Sequence, residues 1–501
     1  MKKIQRVVQV LAIGTGLFVS SAAFGGLLVN TPFDVIGNLP VAEFTGFGYG
    51  TNTYKDWGNE PSVAVNPLNP NQIVISSFSY STSSTATGAN IFYSITGGAT
   101  WTSQFSVPAP SNGVRIPNDW NFAYDGTGTL HATVLGGGNI YQGSTTNPTS
   151  LAAWSWTGGG TRINTSTSGN ADQPWLAVQG GRVFVGYDDF TGGVTLRVAA
   201  SANNGTTFAI DNAISNGARP GNTVNPGTRI ATDGAGNVYS IFGLGPSAGV
   251  GTHIVTYYLN RSRDGGATWD FTGSSANGGL VITSGTSRQL DNAGTQASNT
   301  WFANVNDLRG NITAVAADAT GAHVYTLIGK QDGSGTDRIY LREFHPNGTN
   351  LGASAEIAIS PAGQRAVFPS VTVLDNGTVV MMYDTFDGNQ VHVHIATSTD
   401  FGASISSDVI AYSFVPLTLL AATGSSTSNR EFGDYQYLTS IGDTFYGAFA
   451  GLGDVNAGGI NTTALIDPFF ISGSVTVTEP PTLLLMLGAL LSFGFFRHRM
   501  H

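Results

Sequence analysis

Short apolar stretches recur along this chain, each ending at an Asp, Asn or Gly turn and followed by a second, more aliphatic stretch. Such a pattern reads as a strand, a tight turn and a second strand. Seven copies begin at Glu60, Asp119, Asp172, Arg229, Ile312, Phe368 and Asp434, between 53 and 83 residues apart. A third strand follows in several copies, as at Asn90–Ser94, Val194–Ala199, Ile254–Asn260, Ile339–Phe344 and Val391–Thr397. The period exceeds that of a WD40 repeat and suits a four-stranded blade with variable outer loops. The expected fold is therefore all-β, a ring of seven four-stranded blades over residues 60–477, with six the alternative count. Residues 24–59 are expected to supply a closing strand or a cap.

The chain ends break this pattern. Lys2, Lys3 and Arg6 precede an apolar run from Val7 to Val19, and Ser21-Ala22-Ala23 follows as a small-x-small cleavage pattern. This is the layout of a secretory signal peptide over residues 1–23, too short in its apolar part for a spanning helix. At the other end, residues 478–501 read Thr478-Glu479-Pro480-Pro481, an apolar stretch from Leu483 to Phe496, and Arg497-His498-Arg499. That order resembles the PEP-CTERM sorting signal of Gram-negative bacteria, with Thr478 standing where a Pro is usual. The resemblance implies an exosortase-type sorting machinery as partner, a membrane contact through the apolar segment before processing, and an exported, cell-surface or extracellular protein whose basic tail stays inside.

Composition sharpens the class. With 67 glycines and 10% charged residues among 501, the chain has the makeup of many tight turns and few helices. Its formal net charge of −10 opposes nucleic-acid binding, and the absence of Cys removes thiolate catalysis and Cys-ligated metals.

The third and fourth strands of several copies are joined by a recurring turn. Ser262-Arg263-Asp264-Gly265-Gly266-Ala267-Thr268-Trp269 matches the Asp-box pattern Ser-x-Asp-x-Gly-x-Thr-Trp throughout. Ser94–Trp101, Ser201–Phe208 and Ser398–Ile405 are degenerate copies in the same register. On these residues the body resembles the BNR, or sialidase-like, superfamily of β-propellers. The resemblance places these turns on the outer rim as structural elements, so Asp264 and Asp400 are not read as catalytic.

In such a ring, chemistry collects where the innermost strands begin and the second strands end, because both open onto one face around the channel. Three readings compete there. As a binding module, the face would hold a polysaccharide, a glycoconjugate or an envelope partner through Glu60, Asp119, Asp188, Asp384 and Asp434, with Trp120, Trp175 and Tyr435 as exposed aromatics. As a glycoside hydrolase, the sialidase-like resemblance implies Arg229, Arg365 and Arg430 clamping a carboxylate. It further implies Tyr435 or Tyr383 as nucleophile, Glu431 or Glu60 as its polarising base, and Asp172, Asp119 or Asp188 as the acid. Against it, the only Arg-Ile-Pro element, Arg115-Ile116-Pro117, follows the first Asp-box copy, where sialidases place it before. The third reading is weak Ca²⁺ binding through Asp188-Asp189 or Asp384 with Asp387. No other cofactor is expected. His392 and His394 alternate on one strand without a clear third ligand, and no metal site is assigned.

Overall fold

The computed structural model describes residues 26–35, 60–77, 91–104, 119–215, 228–245, 253–274, 278–287, 302–303, 313–348, 350–416, 432–453 and 466–476. They form seven antiparallel sheets. Blade 1 comprises Ser62–Val65, Ile73–Ser76, Ile91–Ser94 and Thr102–Gln104; blade 2 comprises Trp120–Tyr124, Leu130–Gly136, Asn139–Thr145 and Ser155–Trp156. Blade 3 runs through Ala171–Gln179, Arg182–Asp189, Thr195–Ser201 and Ile210–Ala213; blade 4 through Arg229–Thr232, Val238–Leu244, His253–Ser262 and Leu280–Ser287. Blade 5 has Thr313–Ala317, Val324–Gln331 and Asp337–Asn347, with Asn350–Ala353 and Ile357–Ala358 sharing its outer edge. Blade 6 is Arg365–Val373, Val379–Phe386, Val391–Ser398 and Ser407–Phe414. Blade 7 has Tyr437–Ile441, Thr444–Leu452 and Ile466–Val475, and its outer edge comes from the N-terminal side, as Leu27–Val29 and Phe33–Asp34. Each innermost strand lies against those of both neighbouring blades, and blade 7 meets blade 1. The fold is a seven-bladed β-propeller of four-stranded sheets, as the repeat predicts.

Burial explains the strand patterns. Second strands are enclosed on both faces by adjacent blades, so Val183–Asp189 and Val379–Thr385 are buried without a break. Outer strands face solvent, and Ser407–Ile410 alternates between partly buried and exposed. The cores lie between blades: Phe184 and Val198 of blade 3 pack with Ile230 and Phe242 of blade 4, and Ile241 of blade 4 with Val315 and Ile328 of blade 5. Each such apolar side chain contributes roughly 1.5–3 kcal/mol of burial free energy.

A second device ties blades together at the ring. Ser62 Oγ accepts from the Phe122 amide at 3.1 Å, Asn121 Oδ1 from the Leu176 amide at 3.0 Å, and Ser370 Oγ from the Leu438 amide at 2.8 Å. These residues occupy one equivalent position, filled in blades 1 to 7 by Ser62, Asn121, Trp175, Arg229, Ala314, Ser370 and Tyr437.

The four recurring third-strand turns share one hydrogen-bond plan. The Ser hydroxyl accepts from the amide four residues on, at 2.8 to 3.0 Å, in Ser94, Ser201, Ser262 and Ser398. The third-position side chain, whether Thr96, Asn203, Asp264 or Asp400, accepts from the amide of the seventh residue. Positions four and five take left-handed backbone in all four copies, and Gly98, Gly205, Gly266 and Gly402 recur at the fifth, where a Cβ would come within 3.2 Å of a side chain of the preceding blade.

The chain divides into the propeller unit, Leu28–Ser474, and a unit of the two chain ends, Met1–Leu27 and Val475–His501. In the latter, the Gly26 amide donates to Thr476 Oγ1 at 3.3 Å. The signal-peptide segment 1–23 and the tail segment 478–501 lie outside the described residues.

Candidate functional site

The innermost strands of blades 3 and 6 carry matching β-bulges, at Gln173-Pro174 and Phe368-Pro369, that shift their register against the second strands. Gln173 and Phe368 there, and Glu60 before Pro61 in blade 1, hold φ of 48°, 57° and 52°, a left-handed conformation unusual for residues with a side chain. The local strain re-aims the chain at the channel mouth, so Gln173 and Glu60 join a polar cluster there and Phe368 joins an apolar one.

At the equivalent position where blades 1, 2 and 6 keep a small polar residue, blades 3, 4 and 7 place Trp175, Arg229 and Tyr437. The Arg229 guanidinium sits 4.2 Å from the Trp175 ring centroid and 5.5 Å from that of Tyr435. Trp175 meets Tyr435 edge-on at 5.4 Å and stacks on Tyr437 at 5.0 Å. Gln173 Nε2 donates to Asp434 Oδ2 at 2.7 Å, and Tyr435 donates to the Trp120 carbonyl at 3.4 Å. These contacts join blades 2, 3 and 4 to the start of blade 7 and the segment that leads into it. Below them the channel encloses about 420 Å³, walled by residues of all seven innermost strands, Trp175, Arg229, Tyr435 and Tyr437 among them.

Charge balance sets the protonation of the cluster. Burial, then the negative charges of Asp119 and Asp188, push the Asp172 carboxyl up to about 8, against the Gln173 amide that donates to it. Asp172 therefore carries its proton at neutral pH while remaining partly exposed. Burial also raises Tyr435, as do Asp119 and Glu60, with Arg229 opposing, so its hydroxyl keeps its proton. Burial lowers Arg229, and the Asp188, Asp434 and Asp119 carboxylates oppose that pull, with the neutral Tyr435 ring beside the guanidinium. Asp188 is fully buried and accepts from Thr228 Oγ1 at 2.9 Å.

On the blade 6 side the same face turns apolar. Phe368, Phe302 and Phe432 contact one another with ring centroids 6.0 to 6.5 Å apart. Asp384 occupies the position in blade 6 that Asp188 holds in blade 3. Its pKa is raised well above 3.8 by burial, against a hydrogen bond from Gln436.

The structure thus gathers Asp119, Asp172, Asp188, Asp434, Glu60, Arg229, Trp175 and Tyr435 around one mouth, and it corrects several expectations. Trp120 is not an exposed aromatic of the face. It is 1% exposed, stacks on Phe122 at 5.5 Å and belongs to the core between blades 1 and 2. Tyr435 is likewise buried, and the Glu60, Asp188, Asp384 and Asp434 carboxylates lie within the mouth, enclosed by side chains. Arg229 and Arg365 differ in setting: Arg229 is buried against Trp175, while Arg365 is exposed at the start of the blade 6 innermost strand. Arg430, Glu431 and the Arg115-Ile116-Pro117 element lie outside the described residues. Tyr383 is committed elsewhere, donating to Asp408 Oδ2 at 2.7 Å, as Tyr187 donates to Asp211 Oδ2 at 2.6 Å in blade 3.

Asp387 is lowered to about 2, chiefly by the amides of Gln390 and Asn389, which close its own turn. His392 pairs with Asp387 at 3.1 Å and His394 with Asp408 at 3.0 Å, each with its own carboxylate. Sequence reasoning missed Tyr437 and Gln173. The shared position relative to the turn after each innermost strand would have found Tyr437, and the repeated x-Pro before the strand would have found Gln173.

No known family profile and no curated protein matches the chain. Among solved structures it is similar to an α-L-arabinanase from Penicillium chrysogenum in complex with arabinobiose, at 12% identity over 89% of this chain and 98% of that one, TM-score 0.47. It is also similar to an ulvan lyase of a polysaccharide lyase family, at 12% identity over 79% and 92%, TM-score 0.46. A sialidase from Streptococcus pneumoniae matches at 10% identity over 68% and 67%, TM-score 0.38.

Proposed function

We propose that this protein is an exported, surface-sorted propeller that binds a polysaccharide or glycoconjugate at the channel mouth where the innermost strands begin. The observation that carries the reading is the stacked pair of Trp175 and Tyr437, both partly exposed, over a cavity of about 420 Å³, with Asp172 on the same innermost strand as Trp175. A sugar ring offers apolar C–H faces to such rings and hydroxyls to carboxyl groups, and the volume falls within the roughly 300–1,000 Å³ of ligand sites. The leader and tail patterns of the sequence support export and sorting, and the shared plan of the four third-strand turns supports the BNR-type resemblance.

A hydrolase is the second reading, favoured by one observation: Asp172 holds a proton at neutral pH beside the charges of Asp119 and Asp188, a setting suited to an acid and a base. The sialidase version of it is disfavoured. An activated Tyr nucleophile must give up its proton, and burial among carboxylates holds the proton on Tyr435.

The test is retention of the purified protein on an array of bacterial and plant polysaccharides, beside turnover of fluorogenic sialosides and other glycosides. Retention lost in Trp175→Ala and Tyr437→Ala, with no turnover, is the expected result. Turnover abolished by Asp172→Asn would replace binding with hydrolysis, and retention unchanged in both aromatic variants would remove the mouth as the site.

A further inference from the structure

At the opposite end of the blades, blade 5 brings two histidines and a glutamate together. His323 immediately precedes the first register pair of the second and third strands, Val324 opposite Phe344, and His345 immediately follows it. Tyr325 stands opposite Glu343 in the next pair. With side chains alternating along a strand, His323, Tyr325, Glu343 and His345 share one sheet face. Glu343 reaches both imidazoles, Oε1 lying 2.5 Å from His323 Nδ1 and Oε2 3.2 Å from His345 Nε2. One donor atom from each of the three residues falls within 4.8 Å of the others.

We propose that His323, Glu343 and His345 form a binding site for a late first-row divalent cation, Zn²⁺ above all. Two imidazole nitrogens and one carboxylate oxygen are the donor set such ions take, and Ca²⁺ or Mg²⁺ would call for oxygen donors throughout. The surroundings hold the donors in place. The Phe401 ring, from the third-strand turn of blade 6, stacks on His323 at 4.6 Å and 18°, and Phe401 holds a φ of 59° in doing so. The His323 amide donates to Asp318 Oδ1 at 3.2 Å, fixing the backbone at the strand start. The Glu343 amide donates to Ser354 Oγ at 3.2 Å. The Glu343 side chain is 6% exposed and that of His345 49%, so the group is anchored on its inner side and reachable from solvent through His345. Three protein ligands leave room for water or an outside ligand.

This site stands apart from the channel mouth and does not depend on the glycan reading. The experiment uses the full chain without a histidine tag, stripped with a chelator and titrated with ZnCl₂ by calorimetry, with bound metal counted by elemental analysis. One Zn²⁺ per chain is expected, with affinity falling by about 100-fold or more in His345→Ala. His323→Gln, which keeps a polar side chain against Phe401, should show the same loss with an unchanged circular dichroism spectrum. His392→Ala, which alters a histidine elsewhere, should bind as the parent does. Failure of the parent to bind a stoichiometric equivalent, or equal binding by the His323→Gln/His345→Ala double variant, overturns the proposal.

Discussion

At the third-strand turns, Asp264 and Asp400 are exposed and each accepts hydrogen bonds from a serine hydroxyl, a turn amide and a second hydroxyl. At the channel mouth, Asp172 is set among the carboxylates of Asp119, Asp188 and Asp434, and Asp384 is enclosed beside Gln436. The same residue type meets opposite fates. At the turns, burial is slight, and its upward pull is outweighed by the Thr268 hydroxyl and amide at Asp264 and by the Ser404 hydroxyl and amide at Asp400, so both stay below 3.8. At the mouth, burial prevails and Asp172 and Asp384 are pushed up. A carboxylate that closes its own turn stabilises the fold in its charged form, whereas burial at the mouth favours the protonated form, helped at Asp172 by the neighbouring carboxylates.

The largest expected effect lies in the cation that makes the mouth tolerable. Arg229→Met removes a buried positive charge set against Asp119, Asp188 and Asp434, and should cost on the order of 3–5 kcal/mol in urea unfolding. Arg263→Met, which removes an exposed partner of Asp270 at a third-strand turn, should leave the midpoint nearly unchanged. Equal costs would mean that the two regions do not differ as argued.

Next comes the backbone of the turns. Gly266 has a φ of 89°, and a Cβ there would sit 3.2 Å from Ala200 Cβ of blade 3. Gly266→Val should therefore lose about 1–3 kcal/mol, read from the thermal and urea midpoints. No change would show that the turn can leave the left-handed conformation at little cost.

The two regions also separate on pH. Asp172 has a folded pKa of about 8 against an ordinary 3.8, so the folded state binds more protons between those values. Its contribution is complete below 3.8 and is lost as pH rises toward 8. Asp264 is lowered in the folded state, so its contribution is present above 3.8 and is lost as pH falls below it. Unfolding free energies at pH 5, 7 and 9 should decline across that range in the parent and flatten in Asp172→Asn. Asp264→Asn should alter only the acid limb. A parental profile already flat between pH 5 and 9 would show that Asp172 is ionised throughout.

How much of this was legible before folding follows from range. The blades and the four turns rest on neighbours within a few residues, as when Ser262 reaches the Gly266 amide, so their pattern survives in the linear chain. The mouth was legible in part, since a ring places every innermost strand start on one face. Burial was not: Trp120 reads as an exposed aromatic until Phe122 and Trp156 are seen to pack on it. Nor was the His323, Glu343 and His345 group, which strand register alone brings together.

The smallest effect is the most discriminating, because the protein already contains the substitution. In the turn at Ser201, Asn203 stands where Asp264 does, and its Oδ1 accepts from Ser201 Oγ at 2.8 Å and the Thr207 amide at 3.0 Å, as Asp264 Oδ1 accepts from Ser262 Oγ and the Thr268 amide. Only the last bond reverses direction: Asn203 Nδ2 donates to Thr207 Oγ1 at 3.0 Å, where Thr268 Oγ1 donates to Asp264 Oδ2 at 2.6 Å. Asp264→Asn should therefore retain the plan and cost less than about 1 kcal/mol, the difference between a charge-assisted hydrogen bond and a neutral one. Asp264→Ala removes the acceptor and leaves the Thr268 amide to solvent, for about 1–2 kcal/mol. If Asn cost as much as Ala, the charge and not the geometry would be what the turn requires, and the sharing of one plan by Thr96, Asn203, Asp264 and Asp400 would need another cause.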